Sequence, residues 1–437
     1  MSSNYVIQAG GVLRGRIRVP GDKSISHRSV LLGALASGET HIEGFLEGED
    51  TRATAAAMQV MGVLMEADGA GGMRIQGRGL YGLTAPSCEL DLGNSGTGMR
   101  LLAGVLAGQS FESTVIGDES LSMRPMRRIA APLAEMGAHF ETTDAGTPPL
   151  CIGPSPALHG VDYVMPVASA QVKSCLLLAG MYARGVTRVR EPDLCRDHTE
   201  RMLNGFGYPV KRDGQWVELS GGGELHAQHV RVPADVSSAA FFLVAASIAP
   251  GSDLTLVGVG INPTRDGVIK ILQLMGADIQ LSNQHEESGE PVADLRVRYA
   301  PLHGIEIPKQ LVANAIDEFP VLFVAATNAS GTTTLSGAAE LRVKESDRIG
   351  AMADGLNALG AAAEATADGM IIHGKALAGG IVASHGDHRI AMALSMAAIA
   401  ASGTITVTDC ANVQTSFPGF VELAREAGIN IIERSGA

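Results

Sequence analysis

The sequence predicts an α/β protein made of six copies of one strand and helix module, distributed over two domains. Six Ala/Leu-rich stretches open on a polar residue and run into a small-residue turn and a β-branched strand, 66 to 80 residues apart. The opening residues are Arg28, Arg100, Gln171, Ser237, Asp317 and Arg389. Self-similarity at such an interval indicates a repeat architecture in which each copy is one supersecondary unit.

Every module also closes in the same way, which is the second observation behind this prediction. A further amphipathic stretch ends each time in a pair whose last member is glycine, the residue that most often caps a helix C-terminus. These pairs are Met61-Gly62, Met136-Gly137, Phe206-Gly207, Met275-Gly276, Leu359-Gly360 and Ala427-Gly428. Two helices with a strand between them are therefore predicted in each module.

The first module shows the order of elements. Apolar periodicity predicts a helix over 28–35, a strand over 40–44 and a second helix over 51–61, with Met58 and Met61 on one face. The same order recurs later in the chain, from Ala239 to Met275 and from Arg389 to Gly428.

A chain of 437 residues exceeds what one hydrophobic core usually organises. We expect modules one to three to form an N-terminal domain over 21–233. Modules four to six would form a C-terminal domain. The strand over 12–19 has no module of its own and is expected to complete the sixth, so the C-terminal domain would be discontinuous, 1–20 plus 234–437. The chain would cross between the domains near Pro20 and Pro233.

Composition excludes several classes of function. A net charge of −13 and only 4% aromatic residues argue against nucleic acid or an anionic membrane as a partner, whereas 46% apolar residues suffice for a core. The first residues lack the features of a secretory signal, and the apolar runs are shorter than a membrane span. Five cysteines without CxxC spacing indicate reduced thiols. We therefore expect a cytoplasmic protein.

The segment 20–29 is typical of a phosphate grip. It places Lys23, Ser24 and Arg28 on a tight turn that opens a helix, where N-terminal amide groups add partial positive charge. It is not a Walker loop, since the first glycine of that motif is missing. The alternative is an ordinary capped helix with solvated charges.

The second module offers another candidate anion site. The turn over 92–100, which contains Gly96, lets a ligand approach the backbone closely, although a plain turn from strand to helix is the simpler interpretation and a dinucleotide site is disfavoured. Arg124, Arg127 and Arg128 follow at the start of a helix. Cations there oppose the helix dipole, so an anionic ligand would explain at least one of them.

The third and sixth modules also open on polar groups. Ser169 and Gln171 begin the third, which continues to the charged segment 196–200; a capping box and surface ion pairs are the alternative. In the sixth, the segment 385–389 holds two histidines and Asp387. These could bind a metal, but no further cluster at ligand spacing supports that reading.

The fifth module combines cations with carboxylates. Asp317 opens its first helix, and Lys344, Glu345 and Arg348 follow, with both cations on one face at helical spacing. A solvated helix start is the alternative. The sequence contains no GxSxG elbow. Five of the six modules nevertheless place charged or amide groups at one equivalent position. Polar residues that only face solvent would not be expected to recur at the same position of each module.

Eight ordered motifs, spread over nearly the whole chain, give it a resemblance to a known family. The chain resembles the EPSP synthase family in PGDKSISHRS, LGNSGTGMR, SMRPM, SAQVKS, RDHTE, IDEFP, LRVKESDR and DHRIAM. Its SAQVKS and RDHTE motifs are similar to the class II branch. The resemblance implies a two-domain inside-out α/β barrel with mixed sheets. It has six βαβαββ units, three per domain, with helix N-termini facing the interdomain cleft.

The resemblance also implies a reaction. The enolpyruvyl group of phosphoenolpyruvate moves to the 5-hydroxyl of shikimate 3-phosphate by addition and elimination, and phosphate is released. This step belongs to the shikimate pathway toward chorismate and the aromatic amino acids. Small anionic substrates, no metal and no organic cofactor are implied. We expect a monomer, because two lobes that must hinge leave little surface for a rigid assembly.

Site residues carry over from the family motif by motif. Shikimate 3-phosphate is expected to contact Lys23, Ser24, Arg28, Ser169, Ala170, Gln171, Arg196, Asp317 and Lys344. Phosphoenolpyruvate is expected to contact Lys23, Gly96, Arg124, Gln171, Arg348 and Arg389. Asp317 is the implied base toward the 5-hydroxyl, and Glu345 and Lys23 are the candidates for the remaining proton transfers.

The charges agree with this assignment. The two substrates bring roughly −5 to −6 into one cleft, and seven side chains could neutralise them. These are Lys23, Arg28, Arg124, Arg196, Lys344, Arg348 and Arg389. Because the cations come from both halves of the chain, we expect the empty cleft to repel itself and to close around its ligands.

Two positions bear on inhibitor and substrate contacts. Some family members carry a lysine before the Thr-Phe-Pro near the C-terminus, where this chain has Thr415, so that cation is missing from the sequence. Gly96 stands where tolerant class II enzymes carry alanine, whose methyl group would crowd the inhibitor glyphosate. The resemblance therefore implies sensitivity to glyphosate.

Two other functions remain as alternatives. The sister enolpyruvyl transferase, which acts on UDP-N-acetylglucosamine, shares the six-unit fold but uses a loop cysteine, and the segment 108–125 contains none. A non-catalytic anion-binding scaffold would need the cations but neither Asp317 nor Glu345.

Overall fold

The computed structural model describes residues 3–69, 71–155 and 157–435. The helices are α1 Lys23–Leu35, α2 Glu49–Val60, α3 Gly96–Leu106, α4 Glu119–Ser122, α5 Arg127–Glu135, α6 Ala170–Gly180, α7 His198–Gly205, α8 Val236–Ile248, α9 Gly267–Leu274, α10 Lys309–Val312, α11 Phe319–Thr327, α12 Arg348–Ala358, α13 His388–Ala397 and α14 Phe420–Glu426. Short 3₁₀ turns cover Ala339–Val343, Ala398–Ala400 and Ala411–Thr415.

Strands make up the remaining regular structure. They are β1 Ser3–Ile7, β2 Arg14–Ile17, β3 Glu39–Glu43, β4 Leu64–Ala67, β5 Met73–Gln76, β6 Leu90–Asp91, β7 Ser113–Ile116, β8 His139–Glu141, β9 Leu150–Gly153, β10 Asp162–Val164, β11 Val186–Arg190, β12 Lys211–Asp213, β13 Trp216–Ser220, β14 His229–Arg231, β15 Asp253–Gly260, β16 Asp278–Glu287, β17 Glu290–Arg298, β18 Thr332–Leu335, β19 Ala362–Ala365, β20 Met370–His373, β21 Gly380–Ala383, β22 Ile405–Thr408 and β23 Ile431–Ser435.

The chain divides into two compact units. The N-terminal unit comprises Gly21–Val232 with Glu287–Glu290, and the C-terminal unit comprises the chain up to Pro20, Pro233–Glu286 and the chain from Pro291 onward. The expected domains were 21–233 and 1–20 plus 234–437. The units differ from these in Pro233 and in the tip of the β16–β17 hairpin.

The N-terminal unit contains three mixed sheets, one for each predicted module. Their strand orders are β14-β3-β5-β4, β6-β7-β9-β8 and β10-β11-β13-β12. In each sheet the first pair is parallel and the other two pairs are antiparallel. Helix α3 packs against both α1 and α6, and these helices contribute to a single apolar core.

The described part of the C-terminal unit follows a related plan, although the two strand pairs of its three-stranded sheet are both antiparallel. Its sheets have the orders β16-β17-β15-β2, β18-β20-β19 and β21-β22-β1-β23. Helices α8, α11 and α13 pack against one another and are almost entirely buried, since they lie at the centre of the second apolar core. The mixed α/β class is thus confirmed.

The repeated helix ends are confirmed. The second helix of each module (α2, α5, α7, α9, α12 and α14) stops one residue before its predicted Gly-containing pair. The six glycines all have φ between +82° and +107°, which glycine adopts without the steric cost that a Cβ brings. Met58 of α2 and Met61, which follows it as the C-cap, are both buried, and β3 matches the strand predicted over 40–44 to within one residue.

The prediction that the strand over 12–19 completes the sixth module was wrong. β2 pairs in parallel with β15 of the fourth module, whereas β1 pairs with β22 and β23 of the sixth. The reason is local: the Asp235 amide donates to the Pro20 carbonyl at 2.9 Å, so the segment that follows β2 runs beside the start of α8. Among the helices described, none is long and apolar enough to cross a membrane.

Candidate active site

The start of α1 carries the first predicted cations. Asp22 caps the helix by accepting from the Ile25 amide at 2.9 Å, and Lys23 forms an ion pair with the buried Asp50 of α2. Arg28 lies five residues into the helix rather than at its start, so its guanidinium reaches back to donate to the Ser24 carbonyl at 2.9 Å.

Arg28 is nearly inaccessible and joins three helices. It donates to the hydroxyls of Thr199 at 2.7 Å and Ser174 at 2.9 Å. Burial lowers the pKa of Arg28 to about 10, the carboxylate of Glu200 opposes that shift, and the positive charge of Arg196 adds to it. Arg28 therefore keeps its charge at neutral pH.

The start of α3 presents a backbone turn beside two guanidinium groups. Ser95 caps the helix by accepting from the Gly98 amide at 3.0 Å. A Cβ placed on Gly96 would lie 3.1 Å from NH1 of both Arg100 and Arg124, tighter than an ordinary contact. Arg124 precedes α5 and donates to the Asn94 side chain at 2.7 Å, which brings it to the Gly96 turn.

The start of α6 holds Gln171 from two sides. Ser169 is the N-cap of this helix and accepts from the Val172 amide, which is the capping role given above as the alternative. The Gln171 side-chain oxygen accepts from Arg100 at 2.7 Å and its amide donates to Thr97 at 2.9 Å. The orientation of Gln171 is therefore set by two residues of α3.

The segment 196–200 is largely an interior feature, not a set of surface ion pairs. Glu200 is buried, and the fully buried Lys173 contacts both Glu191 and Glu200 at 2.5 Å. Burial lowers the pKa of Lys173, but the two carboxylates outweigh it and the pKa is raised overall. Arg212 contacts the same two glutamates, so α6 and the start of α7 are tied together by charge.

His27 links the starts of two modules. It is fully buried, with Nδ1 2.9 Å from the Thr54 hydroxyl and Nε2 3.5 Å from that of Ser95. Burial, reinforced by the positive charges of Lys23 and Arg28, holds the pKa of His27 well below its ordinary value. The imidazole is therefore neutral in the folded protein near neutral pH.

In the C-terminal unit the predicted fifth-module residues meet around Asp317. This residue lies just before α11, and its Oδ1 accepts from Arg348 NH1 at 3.3 Å and lies 3.4 Å from Lys344 Nζ. The reason given for their proximity was wrong: α12 begins only at Arg348, so Lys344 and Arg348 do not share a helix face. The shared carboxylate of Asp317 brings them together instead.

Arg348 is the most enclosed cation of this group, with 1% of its side chain exposed. Its Nε donates to Asp387 at 2.8 Å and its NH2 to Glu345 at 2.5 Å. Burial opposes the charged form of Arg348, but Asp387, Glu345 and Asp317 together raise its pKa. Burial likewise acts to raise the pKa of Asp387, and Arg348 reverses this so that the pKa is lowered.

Arg389 lies in the first turn of α13. Its NH1 donates to the Asp317 carbonyl at 2.8 Å and to Glu318 at 3.3 Å, and Asp387 caps the same helix by accepting from the Arg389 amide. Asp387, weighed from the sequence only as a metal ligand, thus orients both Arg348 and Arg389. Within the described ranges no group of three His, Cys, Asp or Glu side chains could hold a metal ion.

Each unit therefore gathers its own share of the predicted residues. The N-terminal unit contains Lys23, Ser24, Arg28, Gly96, Arg124, Ser169, Ala170, Gln171 and Arg196, which lie on or just before α1, α3, α5, α6 and α7. The C-terminal unit brings together Asp317, Lys344, Glu345, Arg348 and Arg389. Thr415 ends a 3₁₀ turn and donates to the Asn412 carbonyl, so it supplies a helix-end contact and no charge.

Sequence reasoning missed three supporting residues. Arg100, Glu318 and Asp387 stand within the quoted motifs, but their contacts to Gln171, Arg389 and Arg348 are long-range. The one available signal was that each is a charged residue at a predicted helix start, since such a group needs a partner when its helix is buried.

Comparison with known proteins gives a consistent result. A family model described as EPSP synthase (3-phosphoshikimate 1-carboxyvinyltransferase) matches residues 7–423. Proteins named 3-phosphoshikimate 1-carboxyvinyltransferase are similar to the chain: one from Alkalilimnicola ehrlichii is 63% identical, covering 97% of this chain and 96% of its own. Another, from Methylococcus capsulatus, is 62% identical and covers 97% of each chain. The solved EPSP synthase of Acinetobacter baumannii is 51% identical over the full length of both chains, with a TM-score of 0.90.

Proposed function

The chain belongs to the EPSP synthase family, and we propose that it transfers the enolpyruvyl group of phosphoenolpyruvate to the 5-hydroxyl of shikimate 3-phosphate, releasing phosphate. It is an enzyme of the shikimate pathway, and its substrates are small anions. The fold, the motifs and the relatives all agree with this assignment.

The observation that carries the proposal is the convergence of charged groups at helix starts in each unit. Helix N-termini carry about half a positive charge each, and Lys and Arg side chains add whole charges beside them. In the N-terminal unit Arg28 lies on α1 and Arg196 lies two residues before α7. A globally acidic protein can therefore hold strongly cationic sites.

We assign shikimate 3-phosphate to Lys23, Ser24, Arg28, Ser169, Ala170, Gln171, Arg196, Asp317 and Lys344. Arg28 and Arg196 supply guanidinium groups, which bind phosphate through paired N–H donors. The Ser169 hydroxyl already caps α6, so the backbone of Ala170 offers a donor at the same helix start.

We assign phosphoenolpyruvate to Lys23, Gly96, Arg124, Gln171, Arg348 and Arg389. Gly96 leaves room at the start of α3 because a Cβ there would press on Arg100 and Arg124. Arg348 enters this role already oriented by Asp387 and Glu345. Preorganised donors of this kind need little rearrangement when charge develops in the reaction.

The proposed chemistry is an addition followed by an elimination. Asp317 accepts the proton of the 5-hydroxyl of shikimate 3-phosphate while the hydroxyl oxygen bonds to C2 of phosphoenolpyruvate. At the same time an acid protonates the methylene carbon of phosphoenolpyruvate. The resulting tetrahedral intermediate then loses a methyl proton and expels phosphate, which restores the carbon–carbon double bond. Glu345 and Lys23 are the groups we assign to the remaining proton transfers.

The test is direct. Purified protein is mixed with shikimate 3-phosphate and phosphoenolpyruvate without added metal, and phosphorus NMR follows both products. Equal amounts of phosphate and enolpyruvyl product support the proposal. If the protein does not turn over shikimate 3-phosphate but accepts UDP-N-acetylglucosamine instead, its activity is that of the sister enolpyruvyl transferase of the same fold.

Three further properties belong to the same proposal. We place the enzyme in the cytoplasm as a monomer that closes around its ligands, and we expect glyphosate to inhibit it. A cytoplasmic location agrees with the five free cysteines, because disulfides are rare in that compartment.

A further inference from the structure

We propose that Glu318 is a positioning residue that fixes the Arg389 guanidinium for binding phosphoenolpyruvate. This inference rests on the proposed function and gives a specific role to a residue described above only by its contact to Arg389. Glu318 belongs to the IDEFP motif, directly after Asp317, and was not among the predicted site residues.

The contacts of Glu318 place it behind Arg389. Only 1% of Glu318 is exposed, so it cannot itself meet a substrate that binds from solvent. Its Oε1 accepts from Arg389 NH1 at 3.3 Å and also from the hydroxyl of Ser237. One carboxylate oxygen therefore joins the first turns of α8 and α13 at the start of α11.

The Ser237 hydroxyl that donates to the Glu318 carboxylate is itself fixed by a buried arginine. Arg265, which is buried, donates through NH2 to the Ser237 hydroxyl at 2.7 Å and to Asp235, the N-cap of α8, at 3.2 Å. The chain of contacts runs from Arg265 through Ser237 and Glu318 to Arg389. Side chains supported in this way keep a functional group close to its productive geometry.

The same contacts leave the outer edge of Arg389 available. NH1 carries both bonds to the protein, and among the described residues Nε and NH2 have no hydrogen-bond partner. The Arg389 side chain is 15% exposed, enough for a ligand to reach it. A guanidinium anchored through one nitrogen can present the other two to a carboxylate or phosphate.

A carboxylate beside an anion-binding arginine weakens the attraction for the anion. Glu318 therefore favours phosphoenolpyruvate binding only if the affinity gained by fixing the Arg389 guanidinium exceeds the affinity lost to the negative charge. Losing a charge-assisted hydrogen bond typically changes an affinity about tenfold or more. Glu318→Gln keeps the shape and an acceptor oxygen but removes the charge, so it isolates this effect.

The experiment is steady-state kinetics on the full-length enzyme with both substrates varied. We expect Glu318→Gln to raise the KM for phosphoenolpyruvate about 10-fold, with a much smaller change in kcat and an unchanged Kd for shikimate 3-phosphate alone. Glu364→Gln, an exposed glutamate on β19 of the same unit, is the matched control and should leave both constants unchanged. Equal losses for both substrates would overturn the inference.

A double-mutant cycle separates positioning from general stability. If Glu318 acts through Arg389, then Glu318→Gln combined with Arg389→Lys will be no worse than Arg389→Lys alone. Additive effects would contradict the proposal. If the Gln variant does not fold, Glu318→Asp keeps the charge but shortens the reach to Arg389, and the same KM increase is expected. Turnover by the unmodified enzyme tests the proposed function separately from these outcomes.

Discussion

At the scale of single residues, the site depends on a few charged side chains that are fixed by buried partners. Asp317 shows this best, because Lys344 and Arg348 both contact its Oδ1 while Arg389 binds its carbonyl oxygen. One residue thus organises three cations with its side chain and backbone. A variant without the Asp317 carboxylate therefore distinguishes the role of this residue in substrate binding from its role in the chemical step.

Replacing Asp317 by Asn should lower kcat by about 10³-fold, within the range for loss of a general base. The amide keeps the size of the side chain, so we expect shikimate 3-phosphate to bind within a few-fold of the original affinity. Phosphorus NMR measures turnover and calorimetry measures binding. Asp354→Asn, an exposed position on α12, is the control. Retained turnover in the Asp317 variant would exclude it as the base.

Replacing Gly96 by Ala should affect glyphosate more than phosphoenolpyruvate. The new methyl group would lie 3.1 Å from two guanidinium nitrogens, so these groups must shift by a few tenths of an ångström. An inhibitor larger than the substrate tolerates this less. We expect the Ki for glyphosate to rise about tenfold or more, equivalent to about 1.4 kcal/mol, and the KM for phosphoenolpyruvate to rise less. Parallel increases would contradict the steric argument.

At the scale of elements, repeated helices place the functional groups. The first helix of each module carries one of the predicted polar residues in it or close to its start, and the second ends at a glycine with positive φ. The sequence predicted these ends well because a helix cap is a local signal. The buried ion pairs between elements could not be predicted, because Lys173 lies 18 or more residues from its partners Glu191 and Glu200.

Replacing Lys173 by Met should destabilise the protein by about 3 kcal/mol, because two buried glutamates lose one of their cations. Arg212 still contacts both carboxylates, which limits the loss. Urea denaturation measures the difference. Lys270→Met on α9 breaks a pair with Asp266 in which the lysine is exposed, and it should cost less than Lys173→Met, about 1 kcal/mol or below. Equal costs for the two variants would show that the Lys173 network does not stabilise the fold.

At the scale of the whole molecule, pH should change stability through His27. Its pKa in the folded protein is well below the value of about 6.5 expected for an unfolded chain. Below pH 6.5 the unfolded chain therefore binds a proton that the folded protein excludes. Stability falls as pH decreases, by about 1 kcal/mol between pH 6.5 and 5.5.

Denaturation of a His27→Gln variant tests this. The variant should lose that part of the pH dependence between pH 6.5 and 5.5, while His226→Gln, an exposed histidine, should retain it. An unchanged slope in the His27 variant would assign the pH dependence to other groups.

Ligand-driven closure also belongs to this scale and stays a prediction. Small-angle scattering should show a smaller radius of gyration with shikimate 3-phosphate plus glyphosate than without ligands. No compaction would count against closure, although it would leave the assignment of the reaction unchanged.

Local periodicity and helix caps were enough to predict the six modules, the helix ends and the mixed α/β class, and the charged motifs stand in the residue order itself. The pairing of β2 with β15, the grouping of Lys344 and Arg348 around Asp317, and the buried roles of Glu318 and Asp387 emerge only in the folded protein. These features join residues distant in sequence, so they depend on how helices and strands pack, and no local pattern encodes that packing.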